Sequence, residues 1–107
     1  MAEPTESKLL ALRKWREVVE KVSDLIKEMY PEVEIYLIGG AAEGRLTILS
    51  DIDMVIVIRN KQIDRAEMLA NIWEAMEKIL PMWYPIEIHI LTRDEFRRLH
   101  GKKVKLS

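Results

Sequence analysis

A chain of 107 residues with 17 basic and 18 acidic side chains, net charge −1, is sized for one hydrophobic core and has no global field to hold nucleic acid by phosphate neutralisation. It has no cysteine, no run of about 18 apolar residues and no apolar segment of signal-peptide type, so disulfides, thiolate metal sites, a membrane span and export are unsupported. The expectation is a single domain over residues 1–107, cytoplasmic, with no membrane partner and no strong nucleic-acid binding; a single Gln, Gln62, and two Asn beside abundant Lys, Glu and Arg lean towards a thermophile's composition.

From about Thr5 to Met29, apolar residues at Leu9, Leu12, Trp15, Val18, Val19, Val22, Leu25, Ile26 and Met29 recur at three and four, which predicts an amphipathic helix stopped by Pro31. Val33 to Ile38 is β-branched and aromatic and ends at Gly39-Gly40, a strand signature. Ile52 to Ile58 is a second strand, apolar on both faces and therefore central or covered by helices. Asp64 with Glu67 fits a capping box for a helix striped by Ala66, Leu69, Ile72, Trp73, Met76 and Leu80, ended by Pro81. Pro85 to Leu91 is a third strand, and Thr92 with Glu95 opens a short helix that stops near Gly101. The order α-β-β-α-β-α predicts an α/β (α+β) fold, a small mixed sheet of at least three strands flanked by helices.

The chemistry concentrates between the first two strands, in "GGAAEGRLTILSDIDMVIV". Gly39, Ala41 and Gly44 fit the spacing of a dinucleotide fingerprint, but that motif opens a helix within a βαβ unit, and here the next strand begins at about Asp51. No Lys-Ser or Lys-Thr pair follows to make a P-loop. What remains is a glycine turn, about ten residues, then Ser50-Asp51-Ile52-Asp53 running into an apolar strand. In a strand, residues two apart share a face at a spacing of about 6.6 Å, so Asp51 and Asp53 are expected side by side. Two carboxylates there repel each other unless a cation sits between them, and hard divalent ions take oxygen donors while leaving room for substrate phosphates. Gly39 and Gly40 supply the complement, a side-chain-free turn whose N–H groups can approach an anion. Alone, D-x-D is most often a solvated strand end and Gly-Gly most often a plain turn; together the signal is far more specific.

These residues resemble the signature of the DNA polymerase β-type nucleotidyltransferase superfamily, hG[GS]-x-x-x-G followed by [ST]-D-x-D-hhV, and the short chain is similar to its minimal branch. The resemblance spans roughly Ile35 to Leu91 and implies two divalent cations, Mg²⁺ with Mn²⁺ as the alternative, and transfer of a nucleoside monophosphate from a nucleoside triphosphate, ATP first. It implies catalytic and metal-binding roles for Asp51 and Asp53, phosphate binding by Gly39 and Gly40, and the small hydroxyl position for Ser50. A third acid on a later strand corresponds to Glu87 in "YPIEIHIL", with His89 on the same face by period two, read as its polar partner; an edge-strand Glu facing solvent is the plain alternative. Glu87 departs from the family's usual Asp. Gly40 stands where many members have Ser, and Glu43 where minimal members often have Arg; a carboxylate there repels a triphosphate unless Arg45 takes over.

Larger members bind base and acceptor with a second domain, which implies a partner or a homo-oligomer here. By resemblance to minimal nucleotidyltransferases paired with HEPN proteins in toxin–antitoxin modules, the acceptor hydroxyl is expected on such a protein. Trp83 and Tyr84 in "LPMWYP" form an aromatic loop that serves either an interface or the core. The tail "RRLHGKKVKLS" reads as a solvated basic run, contact with nucleotide or an acidic partner being the alternative. The competing expectation is a non-catalytic antitoxin or regulatory subunit that keeps the fold.

Overall fold

The computed structural model describes residues 13–45, 51–81 and 83–107. Helix α1 spans Trp15–Met29 and buries Trp15, Val19, Val22 and Ile26, spaced four, three and four, on one stripe. It ends where the Tyr30 N–H donates to the Ile26 carbonyl at 2.8 Å, one residue before Pro31. The expected extension back to Thr5 through Leu9 and Leu12 lies outside the described residues. Strand β1, Glu34–Ile38, alternates half-buried and buried positions. Gly39–Ala42 then form a four-residue helix, α2, which the sequence reading treats only as a turn. Strand β2 is Ile52–Ile58, as expected, and all of its residues but Asp53 are buried.

Helix α3, Arg65–Glu77, is capped one way: the Asp64 carboxylate accepts from the Glu67 N–H at 3.2 Å, without the return arm of the expected box. Its buried row is Met68, Ile72 and Met76. The predicted stripe is therefore rotated, with Ala66 exposed and Met68, whose long side chain reaches inward, taking a core position. Strand β3 is Ile86–Thr92. Thr92 then caps helix α4, Arg93–Arg98, through a complete capping box with Glu95. The helix stops at Arg98, short of Gly101, because Leu99 is already extended. The C-terminal run is also not simply solvated: Val104–Lys105 form β4 along the outer edge of β1.

The four strands lie in the order β3-β2-β1-β4. β1 is antiparallel to β2 and β4, whereas β2 and β3 are parallel and joined through α3. Alternation splits the sheet into two unequal faces. Ile35, Leu37, Ile52, Met54, Ile56, Ile58, Ile86 and Ile88 meet α1 and α3 in the main core. The opposite face carries a smaller cluster, Val55, Val57 and Phe96 with Tyr36, Ile38 and Leu91, under α4. Each fully buried Ile contributes about 1.5–3 kcal/mol by leaving water, so the helix-covered face dominates stability. On the smaller face the Tyr36 and Phe96 rings lie 4.3 Å apart, and Glu34 joins Arg93 and the Tyr36 phenol, each at 2.9 Å. Both partners hold the Glu34 carboxyl below its usual range.

The cap of α4 carries a pH signature. The Thr92 N–H, the Arg65 guanidinium at 2.8 Å and the Thr92 hydroxyl position lower the Glu95 carboxyl from 4.5 to about 2. A carboxylate with a depressed folded value stabilises the fold above its unfolded value, and the contribution fades as pH falls from about 4.5 through about 2. Thermal melts of the parent and Glu95→Gln are expected to differ at neutral pH and to converge in that acid window; a constant difference across it would remove the assignment.

Candidate active site

Three side chains converge on the smaller face of the sheet. The register opposes Asp53 to Ile38 on β1 and to Glu87 on β3, and His89 lies one pleat further along β3 on the same face. The His89 Nε2 reaches diagonally back to Asp53 Oδ1 at 3.1 Å and lies 4.0 Å from Glu87 Oε2. One donor atom from each of Asp53, Glu87 and His89 lies within 4.8 Å of the others. The cluster is open to solvent, with side-chain exposures of 28% for Asp53, 36% for His89 and 57% for Glu87. Among the described residues, α4 covers only the far end of this face, away from the acids at the start of β2 and β3.

The glycine turn closes on the same point. Gly39 follows Ile38, the β1 partner of Asp53, and has φ +67°, a conformation that L side chains rarely adopt. A Cβ on Gly39 would lie 3.1 Å from Asp53 Oδ2, so the carboxylate packs against a bare α-carbon. At Gly40 the constraint is backbone: a Cβ would stand 3.1 Å from the Arg45 carbonyl oxygen, in a loop closed by the Arg45 N–H donating to the Gly40 carbonyl at 2.7 Å. That close return gives a packing reason for glycine where a serine is common in the resembled signature. The first N–H groups of a helix such as α2 have no intrahelical acceptor, which leaves donors at the glycine pair.

The remaining expected residues are not all gathered there. Asp51 is exposed and precedes β2, which starts at Ile52, so strand alternation does not govern it and it is not one of the three converging donors. Ser50 lies outside the described residues. Arg45 is exposed and its guanidinium pairs with the Glu43 carboxylate, the acid expected to oppose a triphosphate. An exposed pair of this kind is weak, about 0–1 kcal/mol, and yields readily to a stronger anion. The aromatic loop divides: Tyr84 is buried in the main core while Trp83 stays 43% exposed. Sequence reading put His89 on the Glu87 face but not beside Asp53, because that contact depends on the β2–β3 register.

Two carboxylates and an imidazole beside a positive-φ glycine form a donor set suited to a divalent cation, with open space for an anionic substrate. A family model described as a nucleotidyltransferase domain matches residues 19–106. A crystal structure of a protein assigned as a nucleotidyltransferase is 31% identical, with a TM-score of 0.61, covering 83% of this chain and 97% of that one. A second, from Sulfolobus solfataricus and likewise assigned, is 20% identical with a TM-score of 0.63, covers 98% of this chain and 87% of that one, and supports the fold. A search of curated proteins returns no match. The chain belongs to the nucleotidyltransferase domain family, and is a minimal nucleotidyltransferase. Membership implies a nucleoside triphosphate substrate and, in general, divalent metal. Among the described residues no helix is long and apolar enough to cross a membrane.

Gly39→Ala is expected to lose about 1–2 kcal/mol in urea unfolding through left-handed backbone strain and also to weaken divalent-cation binding in calorimetry by displacing Asp53. Gly44→Ala, at φ +73° with open space around it, should show the strain alone. Equal cation affinity in the two variants would detach the glycine turn from the site.

Proposed function

We propose that this chain, a single domain over residues 1–107, transfers a nucleoside monophosphate, AMP from ATP first, to a hydroxyl acceptor in the cytoplasm. The observation that carries the reading is the packing of the Gly39 turn against Asp53, with Glu87 in register across β3. In this reading Asp51, Asp53 and Glu87 hold two Mg²⁺, or Mn²⁺. When bound, these ions polarise the phosphoryl oxygens and neutralise charge on the departing pyrophosphate.

The chain's own groups do the rest. The N–H groups at Gly39 and Gly40 hold triphosphate oxygens, with Ser50 beside the first aspartate. Arg45 adds positive charge once it exchanges Glu43 for a phosphate. The Glu87 carboxylate oxygen that holds no cation takes the proton of the acceptor hydroxyl as the acceptor oxygen bonds to the α-phosphorus and the bond to the pyrophosphate oxygen breaks. The open sheet face leaves room for an acceptor carried by a second macromolecule, and a HEPN-type partner in a toxin–antitoxin module fits that need; a homo-oligomer is the other arrangement. The Glu43–Arg45 pair favours a second reading, since a neutralised cation suits a non-catalytic antitoxin or regulatory subunit.

With α-labelled nucleoside triphosphates, Mg²⁺ and the protein encoded beside this chain, label is expected to become covalently attached to that protein, ATP being the best donor. Asp53→Asn should lower the rate by at least about 10²-fold, the scale for losing one electrostatic stabiliser, while still co-purifying with the partner. Absence of transfer from all four triphosphates, with partner binding intact, would leave the binding-subunit reading.

A further inference from the structure

We propose that the His89 Nε2 is itself a ligand of the divalent cation, together with Asp53 and Glu87, and that it turns the centre's preference from Mg²⁺ towards first-row transition ions such as Mn²⁺ and Co²⁺. This rests on the reading of Asp53 and Glu87 as metal-binding carboxylates and adds the identity of the ion.

Donors bound to one small divalent cation at about 2.1 Å stand about 3 Å apart when adjacent and about 4.2 Å apart when opposite. The His89 Nε2 lies 3.1 Å from Asp53 Oδ1 and 4.0 Å from Glu87 Oε2, within that span and without any shift of the strands. The backbone places the three side chains on one face within reach of each other. Glu87 and His89 are two apart on one strand, and the parallel pairing sets Asp53 opposite Glu87. The imidazole is 36% exposed, so it is held at the edge of the cluster and remains accessible to an incoming ion.

Donor chemistry then decides the ion. Mg²⁺ favours an octahedral shell of oxygens and retains waters, whereas imidazole nitrogen suits the transition ions, whose affinities rise from Mn²⁺ through Co²⁺. If His89 only hydrogen-bonded to Asp53, it would position that carboxylate for any cation alike. As a ligand it discriminates between cations.

The test uses the full chain stripped with chelator and titrated calorimetrically with Mg²⁺, Mn²⁺ and Co²⁺. Mn²⁺ and Co²⁺ are expected to bind the parent at least about tenfold more tightly than Mg²⁺. His89→Gln should lose about 10–100-fold for both transition ions while Mg²⁺ changes by less than about twofold. Equal losses for all three ions would reduce His89 to a positioning residue and overturn the proposal. So would unchanged affinities, in which case a retained Mg²⁺ site dependent on Asp53 would leave the carboxylate reading standing. Absence of any cation binding in the parent would remove both. Independently of any variant's folding, diamagnetic Zn²⁺ added to the ¹⁵N-histidine-labelled parent should shift the His89 Nε2 resonance and not that of exposed His100; a stationary His89 signal would overturn the assignment.

Discussion

A one-residue slip of β2 would invert the molecule. Ile52, Met54, Ile56 and Ile58 now point into the helix-covered core, while Asp53, Val55 and Val57 point to the other face. Because side chains alternate with period two, such a slip would drive Asp53 beneath α1 and α3 and turn the isoleucines outward. Burying an unpaired carboxylate there would cost several kcal/mol. The same constraint that builds the core therefore fixes the acid on the open face, level with Ile38 and Glu87. Everything assigned to the site follows from that one register.

The two faces of the sheet have different tasks. The helix-covered face gathers nearly all the large apolar side chains and supplies stability. The other face is only partly roofed by α4, which is tied down at its first turn by Thr92, Glu95 and Arg65 and at its end by Lys103, whose ammonium donates to the Phe96 carbonyl at 2.8 Å. Among the described residues the roof is confined to the end where β2 and β3 finish, and the polar groups at their beginning are partly exposed.

Much of this was legible from local pattern. The bounds of β2, the Thr92–Glu95 box and the apolar stripe of α1 follow from periodicity and capping chemistry that act over a few residues. The parts that escaped depend on longer range. The meeting of His89 with Asp53 comes from a parallel pairing established through α3, which no local spacing encodes. β4 is two residues long, too short to have a period, and exists because β1 offers an edge. α2 is built from Gly-Gly-Ala-Ala, whose glycines oppose helix by about 1 kcal/mol each, so its conformation comes from the closing loop rather than from propensity. Asp51 looked equivalent to Asp53 by alternation, yet the strand begins one residue after it.

The crossover between β2 and β3 also bears on how the molecule assembles. Gly39 and Asp53 are brought together by neighbouring antiparallel strands, a short loop closure, whereas Asp53 and His89 are separated by 36 residues and meet only after α3 has docked. Non-local parallel pairing carries the larger loop entropy before any contact rewards it, so it belongs to the slow part of folding. The contact of Gly39 with Asp53 thus depends on the short closure, and the meeting of Asp53 with Glu87 and His89 on the long one. Loosening of edge strand β3 would part Glu87 and His89 from Asp53 while β1, β2 and their glycine turn stayed paired, so the cluster is lost at a degree of unfolding that leaves most of the secondary structure standing.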